Sequence, residues 1–179
     1  MRRARVAMLL AAAVATFGTA CTPPGPTPSN NPPPPPAPTA AVGPDGLPIT
    51  SLCDLLSSQD FTSIAGATAN TPDTSKATDK SATCEYGKNL RLVVSVNSTD
   101  DEASQAFAQA SRKFTGGQSG TMAGVDESVS GSAGGQMGLV VRRRLLVFTI
   151  EIPGNTAEGK FKLIQLSGRL LERAHALGT

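Results

Sequence analysis

Apolar positions follow three rhythms along this chain, and each rhythm predicts a different kind of element. The first is an unbroken run, Val6 to Phe17, behind the basic start Met1-Arg2-Arg3-Ala4-Arg5. The second is helical. Leu52, Leu55, Leu56, Phe61 and Ile64 recur at helix spacing, Ser57 and Asp60 form an S-x-x-D capping pattern, and Gly66 supplies a stop. One broken helix or two short ones is expected over roughly 51–66. The third rhythm has a period of two. Leu90, Leu92, Val94 and Val96 alternate with Arg91, Ser95 and Asn97, which predicts a strand with one buried face and one largely wet face.

The same reading extends to the C-terminus. Ala67 to Ser81 is polar, contains Pro72 and reads as a loop; Thr83 to Tyr86 reads as a short strand turning at Gly87-Lys88-Asn89. Thr99-Asp100-Asp101-Glu102 opens a helix, with Thr99 and Glu102 as a capping box and the acids at the positive end of the dipole. Ala103, Ala106, Phe107, Ala110 and Phe114 form its inward stripe, Arg112 and Lys113 lie at its negative end, and Gly116-Gly117 closes it. Gly116 to Gly138 is rich in glycine and serine, with a possible strand at Val125 to Gly131. Met137, Leu139 and Val141 begin a stronger strand, and Leu146, Phe148, Ile150 and Ile152 another, with Arg142-Arg143-Arg144 at the hairpin turn between them. After Pro153-Gly154-Asn155 a last helix carries Leu163, Leu166, Leu170, Ala174 and Leu177. The order helix, two strands, helix, three strands, helix predicts an α+β domain of two layers. Its antiparallel sheet has about five strands, with helices on one face.

The N-terminal run changes the picture of where the chain works. A basic start, a dozen apolar residues and the small residues Gly18-Thr19-Ala20 have the layout of a secretory signal peptide over 1–20. Cys21 directly after the cut reads as a bacterial lipoprotein junction, where the thiol takes a diacylglycerol. A lipobox usually has Leu three places before the cysteine; Gly18 stands there in this chain. The run is too short for a membrane-spanning helix, which needs about 20 apolar residues. Two acyl chains hold where one is marginal, because each buried CH₂ contributes about 0.8 kcal/mol. Twelve of the 14 prolines lie between Pro23 and Pro48, five of them consecutive from Pro32 to Pro36. Residues 21–50 therefore read as a lipidated, disordered spacer with polyproline II bias, up to roughly 90 Å long at about 3.1 Å per residue. The globular domain is expected over 51–179.

Charge then excludes one class of partner. Arg2, Arg3 and Arg5 leave with the signal, so the mature chain sets 13 basic side chains against 14 acidic ones. The precursor's net charge of +2 is thus no footprint of nucleic-acid binding. With no Trp and one Tyr, stacking on sugars or bases is disfavoured. Beyond Cys21 two cysteines remain, Cys53 and Cys84, which in an exported domain read as one disulfide rather than as a metal or redox pair.

Cys53-Asp54-Leu55-Leu56-Ser57, Gly66, Cys84 in a short strand, and Gly124-Val125-Asp126-Glu127 before a hairpin are spaced in a way that resembles a family of small actinobacterial lipoproteins, a domain of unknown function. The resemblance covers roughly residues 50–175. Members often carry an aromatic residue, commonly Trp, just after the second cysteine; Glu85-Tyr86 stands there in this chain. The basic hairpin tip replaces a more usual glycine-containing turn. The chain also looks distantly like extracellular sensor domains of mycobacterial receptor kinases. The resemblance implies fold and location and assigns no catalytic residue.

Candidate chemistry is sparse. His175, the only histidine, sits in the last turn of the last helix, where a cation suits the dipole. Asp126-Glu127 is a carboxylate pair, but adjacent residues on a strand point opposite ways. Asp100-Asp101-Glu102 reads as a cap rather than as a Ca²⁺ loop, and Met122 and Met137 as core or loop. Arg142, Arg143 and Arg144 read either as a binding patch for anionic envelope polymers or phosphate head groups, or as a solvated turn that discourages aggregation. No cofactor or metal is expected. The expectation is a monomeric, non-enzymatic binding or interaction module of the bacterial envelope, lipid-anchored at the outer face of the cytoplasmic membrane or in the cell wall. Its partner would be an envelope protein or small ligand. The alternatives are an envelope hydrolase using acidic residues, or an accessory subunit of a membrane transporter or sensor kinase.

Overall fold

A computed structural model describes residues 40–75 and 77–177. The signal segment, Cys21 and the spacer through Thr39 lie outside the described residues. The first described element is a small ribbon, β1 (Ala41–Val42) paired antiparallel with β2 (Pro48–Ile49). The first described element thus lies ten residues upstream of the boundary expected at Ser51.

Two capping boxes follow. Ser51 accepts from the Cys53 N–H while Asp54 accepts from the Ser51 N–H, opening a 3₁₀ turn at Leu52–Leu55. Ser57 and Asp60 repeat the exchange to open a short helix, α1 (Ser58–Asp60), which widens into a π turn at Phe61–Ala65. Gly66, at φ 68°, ends the run in the left-handed region that glycine adopts without a Cβ penalty. The broken helical segment expected over 51–66 has this form.

The main sheet has six antiparallel strands: β3 (Ser81–Gly87), β4 (Leu90–Val96), β5 (Thr115–Ser119), β6 (Glu127–Ala133), β7 (Gln136–Arg143) and β8 (Leu146–Pro153), in the order β3-β4-β8-β7-β6-β5. The long helices are α2 (Asp100–Ser111), between β4 and β5, and α3 (Ala157–Ala176) at the end. The fold is α+β and its sheet is antiparallel, as the alternation predicts. The sixth strand is β5, whose sequence Thr115-Gly116-Gly117-Gln118-Ser119 carries no apolar residue and leaves every position exposed.

Period-two patterning sets the layers. Leu92 and Val94 of β4, Phe148 and Ile150 of β8, and Leu139 and Val141 of β7 share one face, beneath Leu163, Leu166 and Leu170 of α3 and beneath Leu55, Leu56 and Phe61. Each fully buried side chain of this size contributes about 1.5–3 kcal/mol. Cys53 and Cys84 are bridged, with Cα atoms 5.6 Å apart, tying the 3₁₀ turn to β3. Closing that loop contributes about 3–4 kcal/mol in the chain-entropy account.

The opposite face is not bare. Val140 and Val147 form a second, smaller core with Ala103 and Phe107 of α2 and with Phe114. The two layers expected from the sequence are α3 and the sheet; α2 adds a cover over the middle of the other face. Its stripe is mostly alanine, which lets the helix lie close. Phe114 lies past the end of α2, and its ring fills space left by two paired glycines, Gly131 and Gly138. A Cβ on Gly138 would fall 2.1 Å from that ring.

Candidate functional site

A polar hub organises the α3 side of the molecule. Arg173 is 1% exposed, and its guanidinium donates to both carboxylates that flank it. It reaches Asp60 at 2.7 Å, Asp45 of the ribbon, and the carbonyl of Leu55 at 3.2 Å. Burial alone would lower the Arg173 pKa, and the hydrogen bonds it donates to Asp45 and Asp60 more than reverse that. Nearby, the Tyr86 hydroxyl lies 2.6 Å from the Cys53 carbonyl and 2.5 Å from that of Leu56, its single proton serving both. Burial, reinforced by the charges of Asp54 and Asp60, pushes the phenol well above its ordinary range, so it stays a neutral donor. With its donors and acceptors matched inside the fold, this hub holds the molecule together and offers nothing outward.

The arginine triplet does not form a patch. Arg142 points to the α2 face, where its Nε donates to Glu127 and its guanidinium to Asp100, each at 2.7 Å. Burial opposes the charge there, and the bonds to Glu127 and Asp100 outweigh it and raise the pKa. Arg143 points to the other face and reaches the Leu171 carbonyl of α3 at 3.5 Å. Arg144 occupies the turn at φ 52°, and its N–H donates to Asp126 at 2.5 Å. Strand alternation separates the first two and the turn removes the third, so no common surface joins them.

The acids are equally committed. Asp126 holds the turn and Glu127 holds Arg142, so the pair does not converge on a cleft. Asp100-Asp101-Glu102 opens α2, with half of the expected capping box: Thr99 accepts from the Glu102 N–H, but Glu102 accepts from the Ser98 N–H instead of that of Thr99. His175 is exposed in the last turn of α3. Among the described residues no group of three His, Cys, Asp or Glu side chains could hold a metal ion, and no helix is long and apolar enough to cross a membrane.

What the structure does open is a cleft of about 170 Å³ between the β5–β6 edge and the first half of α3. Leu139, Met122 and Ile164 are among its walls, Ser128 and Ser130 lie on its β6 side, and Gln118 and Lys160 meet across it at 3.3 Å. Ser128 donates to the Gly120 carbonyl and is thereby satisfied. Ser130 is 9% exposed, and its hydroxyl has no hydrogen-bond partner among the described residues. That hydroxyl is not sealed inside the fold; it opens on the cleft, where water or a ligand group can meet it. Ile164, 38% exposed, adds apolar surface from α3.

Two of the larger hollows are less suited. One of about 300 Å³ lies beside Arg91, Lys113 and Glu151, but Lys113 already neutralises the buried Glu151 and Arg91 stands 4.0 Å from Glu85. Its charges compensate one another, although the Arg91 Nε has no hydrogen-bond partner. Another, of about 460 Å³ between Ser63 and Glu172, is an open surface depression.

None of Ser130, Gln118 and Lys160 was singled out by the sequence reading. The one available signal was Ser128 and Ser130 alternating with Val129, which places two hydroxyls on the face that Leu139 and Val141 fill with hydrocarbon. Comparison with known proteins finds no matching family model, no similar curated protein and no similar solved structure.

Proposed function

We propose that this chain is a lipid-anchored, extracytoplasmic binding module of the bacterial envelope, of the same type as the small actinobacterial lipoproteins it resembles. It works by holding a partner rather than by catalysis, and the cleft between β6 and α3 is its binding site. One observation carries this reading: a concave, largely apolar recess between β6 and α3 with Ser128, Ser130, Gln118 and Lys160 among its walls. Apolar walls with a few placed polar groups are the usual makeup of a ligand site. The Cys53–Cys84 cystine supports an oxidising location. The acidic pair of the hydrolase alternative is occupied by Arg144 and Arg142, which favours binding over acid–base chemistry.

Two separable measurements test it. Cys21→Ala should move the mature protein from the membrane fraction to the soluble extracytoplasmic fraction; continued membrane residence would refute the anchor. Ser130→Leu, which fills the cleft, should abolish retention of envelope material by the tagged protein while the folded spectrum stays unchanged. Retention equal to that of the parent would move the binding site elsewhere.

A further inference from the structure

The recess is small for a whole ligand. Pockets for drug-sized molecules run from about 300 Å³ upward, whereas an engineered cavity of about 150 Å³ takes benzene. A cleft of about 170 Å³ therefore accepts one ring or branched side chain, and the rest of the ligand must lie outside it. Directly beside the cleft is an open sheet edge. β5 is the terminal strand, and among the described residues no backbone hydrogen bond reaches its outer side. The other terminal strand, β3, is met by Asn70, whose N–H donates to the Tyr86 carbonyl.

The register shows which groups are on offer. Gln118 pairs with Ser130, and the Gly120 N–H donates to the Ser128 carbonyl. In an antiparallel ladder the residue between such pairs turns its N–H and C=O away from the neighbour, so Ser119 presents both at the open edge. The strand carries neither charge nor proline, the usual guards of an exposed edge; its only such device is the irregularity between Thr115 and Gln118. Charge narrows the occupant further. Lys160 stands at the cleft with Gln118 as its one hydrogen-bond partner and has no carboxylate partner among the described residues.

Resting on the reading of the cleft as the binding site, we propose that the occupant is an extended peptide. It adds to β5 as a seventh strand, places one apolar side chain in the cleft over Ser130, and sets an acidic side chain against Lys160. Strand addition gives affinity through main-chain hydrogen bonds and specificity through alternate side chains. A second copy of this chain fits less well, because Thr115 to Ser119 offers no apolar side chain to fill the cleft.

The probe is a seven-residue peptide, acetyl-Thr-Glu-Thr-Phe-Thr-Glu-Thr-amide, which puts phenylalanine and both glutamates on one strand face. Titration into the isotope-labelled protein should shift the amides of β5 and β6 saturably and slow hydrogen exchange at Ser119. Replacing the phenylalanine by alanine should weaken binding about tenfold or more. Ser119→Pro removes an outward N–H without breaking the β5–β6 ladder, and Ser130→Leu fills the cleft; each should abolish the response while leaving other amides in place. Peptide binding indifferent to Ser119→Pro would overturn strand addition and leave the cleft as the binding site. Uptake of decanoate that Ser130→Leu abolishes, with no response to peptide, would assign the cleft to an amphiphile and overturn the peptide. Sedimentation showing dimers that Ser119→Pro dissociates would assign the edge to a second copy instead. Silence toward both peptide and decanoate would remove the proposal and the binding-site reading together.

Discussion

Arg173 is the single residue on which most of the α3 side depends. It lies within the last helix that the apolar spacing predicts, yet nothing in that spacing marks it as buried, because a lone arginine in a last helical turn normally stands in water near the negative dipole end. Its partners are 113 and 128 residues away in sequence, at Asp60 and Asp45, so the hub is invisible without the fold. Asp60 was legible as a cap but not as the counter-ion it also is. Arg173→Ala removes the buried cation of Asp60, leaving only the part-exposed Arg169 at 3.9 Å, and should cost about 3 kcal/mol, read as a lower urea midpoint. Asp45 gives the hub a pH dependence. The hydrogen bond from Arg173 holds its carboxyl below the ordinary 3.8, against the opposing effect of burial. Such a group stabilises fully above the unfolded-state pKa and ceases to do so as pH falls through its lower native value. Acidification through and then below the ordinary carboxyl range should therefore release the ribbon, seen as loss of amide protection between Gly43 and Ile49. Asp45→Asn should abolish that acid step; its persistence would show that another group controls the ribbon.

At the scale of elements, the strongly periodic segments were readable and the weakly apolar ones were not. Leu90 to Val96 and Leu146 to Ile152 alternate because one face of each joins the main core, beside the 3₁₀ turn for β4 and under α3 for β8. β5 was hidden for the converse reason: its pairing with β6 rests on backbone groups, and backbone groups leave no trace in side-chain patterning. Phe114 was misplaced in the same way. It falls at helical spacing from Phe107 and Ala110, but α2 ends at Ser111 and the ring reaches the sheet from the following turn. What fixes it there is the missing Cβ at Gly138 and Gly131. Gly138→Ala should cost about 1–3 kcal/mol by overpacking in thermal or urea unfolding. In a Phe114→Ala background the same change should cost far less. Equal costs in the two backgrounds would mean that the ring is not what the glycine accommodates.

For the molecule as a whole, the α+β class and the cystine could be read from sequence, whereas the cover on the second face could not. Alanines in α2 stripe one side too lightly to announce what they lie on, and Val140 and Val147 are single residues facing away from the main core. The cleft was out of reach for a related reason, since it exists only where β6, the loop after β5 and α3 come together. The ribbon has a mechanical consequence. Under the anchoring proposed above, load would enter the domain through Ala40, and the first described structure it would meet is two residue pairs and the Asp45–Arg173 clasp. Those yield before the six-stranded sheet, and unravelling residues 41–51 supplies about 36 Å of slack at ~3.3 Å per residue. Pulled in an optical trap, the protein should lengthen by one short early step that Asp45→Asn erases, with the sheet and its bridge intact behind it. The ribbon then serves as a fuse, giving way under strain so that the recess keeps its shape.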